Sequence, residues 1–273
     1  MTDFLTEADI IAAIAGAESA GFNQDFYKAS ITTVSGFDYS GWMAGGSPVA
    51  GNAPTTWGSP LYTNSGAINW RMVNSEATKT MRLLAATIRP SVANQPYVIQ
   101  DRLGHMAGLS GTSTSAQSVN GTIASAATQG RCLSTGRDVD WWLEWYTPTG
   151  STAVNATVNV TYDDDTTANI VVALPASVPA YRRYRIVPGG VKGIKGVNTV
   201  TLSATTGTAG NFGVTATRRI CGFSVPAANS DWIADWALTR MSKVGQSACI
   251  QFATYAVGTA FGTLTGNMVV GAA

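Results

Sequence analysis

The run DVDWWLEWYTPTGSTAVNATVNVTYDDDTTANIVVALP, residues 138–175, decides the fold class. Read in twos, Trp141, Leu143 and Trp145 fall on one face, and Asp140, Trp142, Glu144 and Tyr146 on the other. Past the Pro148-Thr149-Gly150 turn, Val158, Val160 and Tyr162 alternate with Thr157, Asn159, Thr161 and Asp163. Period-two alternation rich in β-branched and aromatic residues, bounded by turn chemistry, predicts half-buried antiparallel strands. A third strand, 169–174, follows the acidic turn Asp163-Asp164-Asp165, so the centre of the chain reads as a β-meander with a heavy aromatic face.

Outward from this run the pattern repeats. Strands are expected at 26–36, 79–87, 97–103, 181–187, 197–205 and 211–220, spaced by turns at roughly ten-residue intervals. The spacing predicts a mainly β protein, an antiparallel β-sandwich or jelly-roll-like domain with a short N-terminal helix and a C-terminal β-hairpin. The helix is TEADIIAAIAGAESA, residues 6–20, with Thr6 as N-cap, Glu7 and Asp9 in the first turn, and Gly21 as its C′ stop. Short and Ala-rich, it needs a surface to dock on, either its own domain or a neighbouring subunit. The hairpin is expected from 247–257 and 261–270 around Gly258; low in charge, it must pair with its own sheet or a neighbour's edge. The organisation is therefore a helical arm at 1–25, a β-sandwich core at 26–222, and a linker with hairpin at 223–273.

Composition narrows the function classes. Only 12% of the 273 residues are charged, about half the usual share of roughly 25%. A surface poor in Lys and Glu suits a protein that keeps much of itself against other protein. A net charge of +1 leaves no basic stripe for phosphates, so no nucleic-acid partner is expected. The arginines at 182, 183, 185, 218 and 219 read as solvated or paired strand faces. No apolar run reaches about 18 residues, and the N-terminal stretch lacks a basic region before its apolar part, so neither a membrane span nor a signal peptide is expected. Cys132, Cys221 and Cys249 have no metal spacing and read as free buried thiols, with one disulfide and a leftover thiol as the alternative.

Candidate chemistry is sparse. His105 is the lone histidine, there is no G-x-S-x-G elbow, and His105 reads as a structural residue at a strand end. The three aspartates at 163–165 lack the calcium-loop pattern and read as a solvated turn. Asp140 and Glu144 on one strand face are about 13–14 Å apart by strand rise, too far for a glycosidase pair. Gly189-Gly190-Val191-Lys192-Gly193 lacks the phosphate-loop pattern and is a turn. The long Gly/Pro/Asn/Ser-rich excursion at 38–69, closed by Trp70, carries Trp42, Trp57 and Tyr62. These aromatics either stack on sugar rings or pin the loop, and pinning is the expectation. No catalytic, cofactor-binding or metal-ligating residue, and no cofactor, is assigned.

The segments FYKASITTVSGFDYSGW (26–42), IQDRLGHMAGLSGT (99–112), WWLEWYTPTG (141–150) and TVTLSATTGTAGNFGVTATRR (199–219) resemble virion structural proteins of tailed bacteriophages, among them capsid decoration, or head cement, proteins. The resemblance implies a non-enzymatic virion component, assembled in the host cytoplasm, whose partners are the major capsid protein or other virion proteins. By analogy with decoration proteins it implies a homo-oligomer, a trimer, with the helix and terminal hairpin as contacting arms. A receptor- or carbohydrate-binding module of a head or tail fibre is the alternative, and a glycan-cleaving enzyme is a remote third.

Overall fold

The computed structural model describes residues 6–20, 23–60, 81–245 and 247–272. In chain order the elements are α1 (Glu7–Ala20), β1 (Asn23–Lys28), β2 (Asp38–Ser40), β3 (Gly46–Ser47), β4 (Met81–Pro90), β5 (Pro96–Leu109) and β6 (Gln117–Thr122). A short α2 (Ala124–Thr128) precedes β7 (Asp140–Thr147), β8 (Val154–Tyr162), β9 (Thr167–Leu174), β10 (Arg182–Ile186) and β11 (Ile194–Leu202). The chain then forms β12 (Asn211–Ser224), β13 (Trp232–Ala234), β14 (Lys243–Val244), β15 (Ile250–Tyr255) and β16 (Leu264–Ala272). The expected mainly β, antiparallel architecture with a short N-terminal helix is what forms.

The strands make three layers. The middle layer closes on itself as a barrel in the order β10-β2-β15-β5-β12-β7. One flank is the four-stranded sheet β6-β11-β8-β9; the other is β13-β4-β16-β1-β3, with β14 also on β4. Two apolar cores glue the layers. In one, Trp141, Leu143, Trp145 and Val214 from the barrel wall meet Val158, Val160 and Val200 of the four-stranded sheet. In the other, Ile99, Ile250 and Phe252 from the opposite wall meet Leu83, Met268 and Val270.

This layering corrects the meander. β8 and β9 pair as expected, but β7 pairs with β12 and β10, not with β8. The reason lies in β7 itself, which is buried on both faces, Trp142, Glu144 and Tyr146 as well as Trp141, Leu143 and Trp145. A strand covered on both sides belongs to a central layer, so at Gly150 the chain leaves the barrel and lays β8 over it. The crossing is tight: a Cβ on Gly150 would sit 2.0 Å from the Thr206 carbonyl oxygen.

The terminal hairpin is corrected in the same way. β15 lies between β2 and β5 in the barrel, whereas β16 lies between β4 and β1 in the flanking sheet. The two strands share a core, through Ile250 and Phe252 on one and Leu264, Met268 and Val270 on the other. They stack face to face where a hairpin would set them side by side. The expected strand at 26–36 is confined to β1 followed by a single bridge, Thr32 to Ala260. β5 runs six residues past its expected end and absorbs Gly104–Leu109.

Helix α1 is capped as its sequence predicts. The Asp9 backbone N–H donates to Thr6 Oγ1 at 3.2 Å, and the Thr6 N–H donates back to Asp9 Oδ2 at 2.9 Å, a reciprocal capping box. The helix contacts β16, β1 and β4, and Ile10 is buried, so it docks on its own sheet. The proposed stop at Gly21, and Tyr62, Trp70, Lys79 and Thr80, lie outside the described residues.

Candidate functional site: a polar barrel interior and an uncharged outer face

Side chains from strands on opposite sides of a closed barrel meet inside it, and here the meeting is polar. Arg102 of β5 forms an ion pair with Glu144 of β7 at 2.7 Å, the two side chains 0% and 2% exposed. Arg102 also donates to Gln251 Oε1 of β15 at 3.1 Å, to Tyr146 OH at 2.8 Å and to Thr215 Oγ1 of β12 at 3.1 Å. Arg102 reaches the other Glu144 oxygen at 3.2 Å, Thr215 donates to the oxygen of the ion pair, and Ser40 of β2 donates to Gln251 Oε1 at 3.4 Å. Arg183 of β10 donates to Gln100 at 2.8 Å and stacks 4.0 Å from the Trp142 ring centroid. All six barrel strands contribute. Burial would raise the Glu144 carboxyl, but the Arg102 charge and the hydrogen bonds from Arg102 and Thr215 outweigh it and hold it below its ordinary range.

The interior is buried, and this arrangement orders the barrel. Trp42 closes over it: fully buried, its ring lies 4.6 Å from the Arg102 guanidinium carbon and edge-on to His105 at 5.3 Å. His105 is placed inside β5, not at a strand end, because β5 is longer than its apolar pattern. Burial, followed by the charge of Arg102, drives its pKa down to about 2, so it is neutral. A second buried pair stands outside the barrel wall. Arg131 grips Asp101 through Nη2 at 2.5 Å and Nε at 3.1 Å, while Asp101 also accepts the Cys249 backbone N–H at 2.8 Å.

The excursion tryptophans pin the loop. Trp57 stacks on Trp141 at 5.3 Å and donates from its indole nitrogen to the Thr122 carbonyl at 3.0 Å. It lies flat on Gly104 and Gly121, where added Cβ atoms would stand 2.2 Å and 2.8 Å from its ring. At the hairpin tip each aspartate has its own cation. Asp163 pairs with Arg137 at 2.7 Å, Asp164 with Lys192 at 2.7 Å and Asp165 with Lys195 at 2.5 Å. Asp140 pairs with Arg185, apart from Glu144. The basic residues divide against expectation: Arg182 and Arg183 are buried, because β10 is a barrel strand, whereas Arg185 is exposed. Cys132 and Cys249, free thiols both, are pushed up to about 12, chiefly by burial.

The outer face of the four-stranded sheet is accessible. Asn155, Thr157, Asn159 and Thr161 of β8, Thr167, Asn169 and Val171 of β9, and Thr199 and Thr201 of β11 alternate with buried core residues and carry no charge. Their amides are tied across strands: Asn159 donates to Asn169 Oδ1 at 2.8 Å, and Asn198 donates to Asn159 Oδ1 at 2.8 Å. Beside this face, an open cleft of about 800 Å³ runs between β6, α2 and β11, lined by Asn120, Thr122, Ser134, Thr161, Lys195 and Asn198. The sequence signal for the face was present in the Thr/Asn alternation. The sequence reading does not find the interior network, because it assigns Asp101 and Arg102 no role within the strand at 97–103 and sets His105 at that strand's end.

No family model matches the chain, and no curated protein matches it. Among solved structures it is weakly similar to "Structure of infectious bursal disease virus Gx strain", at 9% identity and a TM-score of 0.22 over 92% of this chain and 80% of that one. It is also weakly similar to infectious bursal virus derived T=1 particles, at 11% identity and a TM-score of 0.19 over 92% and 76%.

Proposed function

We propose that this chain is a non-catalytic structural component of a virus particle and, more narrowly, a capsid decoration or cement protein of a tailed phage. The observation that carries the reading is the outer sheet face of Asn, Thr and Val side chains, cross-braced by Asn159, Asn169 and Asn198. Cores of protein interfaces are depleted in charge, and a pre-ordered face loses little side-chain freedom on docking. The contact is therefore assigned to this face, not to terminal arms, since α1, β15 and β16 are spent on the chain's own layers. The partner is the major capsid protein or another virion protein, and three copies around a local three-fold axis is the assembly proposed by analogy with other decoration proteins.

The test is to mix purified protein with mature particles lacking it, sediment, and count bound copies. Hundreds per particle is the expected result; a dozen or fewer moves the subunit to the vertex, neck or tail, and none removes the particle role. Asn159→Lys and Thr199→Lys should each weaken binding while the fold stands, because surface changes of this kind usually cost within about 0.5 kcal/mol.

A receptor- or carbohydrate-binding role is the second reading, and the cleft beside Asn198 favours it. Hydroxyl- and amide-lined grooves suit sugar hydroxyls. Glycan-array binding lost in Asn198→Ala would support it, and the same array with Trp57→Ala would not discriminate, since Trp57 belongs to the fold.

A further inference from the structure

Four arginines are buried among the described residues, and three have a carboxylate. Arg102 has Glu144, Arg131 has Asp101, and Arg183 has Asp38 at 3.9 Å. Arg182 is the fourth and has none. It is 5% exposed, and its Nε and Nη2 are buried without a hydrogen-bond partner. Its neighbours are rings: the guanidinium carbon lies 3.0 Å from the Phe37 centroid and 5.2 Å from that of Tyr184. The Tyr184 hydroxyl is also buried and unpartnered. Ring faces offset part of the charge's desolvation but satisfy none of its N–H donors.

Phe37 and Tyr184 line a hollow of about 540 Å³ together with Val154, Leu174 and Pro175, and Arg182 lies behind these two rings, so an occupant reaches it only by displacing the Phe37 ring. The hollow sits at the C-terminal end of β9, which is the terminal strand of its sheet. An edge strand is normally guarded by charge, proline or a bulge. β9 reads TANIVVAL and has none of these.

We propose that this corner docks an extended, carboxylate-bearing segment of another protein chain, which adds to β9 as a fifth strand and delivers its carboxylate to Arg182. Strand addition supplies main-chain hydrogen bonds, and the hollow takes an apolar side chain beside the acidic one. A carboxylate is the matching group because a guanidinium fork presents parallel N–H donors to two oxygens. The outer face of the sheet is a separate surface, so this site stands or falls without the particle role.

The test uses the full chain and two blocked peptides, acetyl-TVTVDVT-amide and its Asn counterpart, with binding followed by isothermal titration calorimetry. The Asp peptide should bind at least tenfold more tightly than the Asn peptide, and Arg182→Met should abolish that difference. Arg182→Met should also raise the Tm of the free protein, because it removes an unpartnered buried charge while keeping most of the side-chain volume. Tyr184→Phe should weaken the Asp peptide severalfold with the Tm unchanged. Equal binding of the two peptides, or a Tm that falls in Arg182→Met, overturns the proposal. Concentration-dependent dimerisation that is lost in Arg182→Met, with no peptide binding, overturns it too and makes a second copy of this chain the occupant.

Discussion

Arg102 and Glu144 stand on neighbouring-but-one strands of the barrel and close its interior with a 2.7 Å ion pair that water does not reach. The pair holds β5, β12 and β7 in one register, with Thr215 between them donating to the carboxylate and accepting from the guanidinium. Its role is conformational: it makes the inside of the barrel a different environment from the two apolar cores outside, so the barrel strands can face only one way.

Breaking the pair from one side leaves an uncompensated buried charge. Glu144→Gln should therefore lose about 3–5 kcal/mol, whereas the double change Arg102→Met/Glu144→Leu should lose much less than the sum of its parts. Urea titration of Arg102→Met, Glu144→Leu and the double variant, with Glu144→Gln beside them, measures this directly.

His105 makes stability depend on pH. Its folded pKa, about 2, lies well below its ordinary value of 6.5, so the unfolded chain binds the extra proton between those limits. Stability from this group is complete above about pH 6.5 and is lost as pH falls, at roughly 1.4 kcal/mol per pH unit. In His105→Gln the slope of unfolding free energy between pH 6 and pH 5 should shrink by about one proton. An unchanged slope would place the histidine outside the buried interior.

Glycines 104 and 121 exist for Trp57. Gly104→Ala should destabilise the wild type by a few kcal/mol through overpacking, of the order of 1–3. Trp57→Ala should cost about 3 kcal/mol, near the low end for a tryptophan because the ring is half-buried. In the Trp57→Ala background the Gly104→Ala penalty should largely vanish, since the 2.2 Å clash is gone. Thermal melts of the four proteins of this cycle test the coupling.

The C-terminal strand is structural. A chain ending at residue 262 lacks β16, which pairs with both β4 and β1, and so splits the flanking sheet in two. It should lose cooperative thermal unfolding by circular dichroism. A chain lacking residues 1–20 removes only the docked helix and should still melt cooperatively at a lower Tm.

The sequence by itself determined the fold class, the positions of most strands, the helix and its Thr6 cap, because these follow from period-two and period-3.6 patterning and from local hydrogen bonding. Its patterning also separates Val158, Val160 and Tyr162 from Thr157, Asn159 and Thr161, and it leads to the expectation, against sugar stacking, that Trp42 and Trp57 pin the excursion. Only the tertiary structure decided which layer each strand enters. Alternation marks a strand with one wet face, but β7, most of β5 and residues 212–217 of β12 have no wet face, and their inward residues are Arg102, Glu144 and Thr215, which read locally as solvent-facing. A charge is buried by partners drawn from strands far apart in the chain, Arg102 and Gln251 being 149 residues apart, and that pairing is visible only once the barrel has closed.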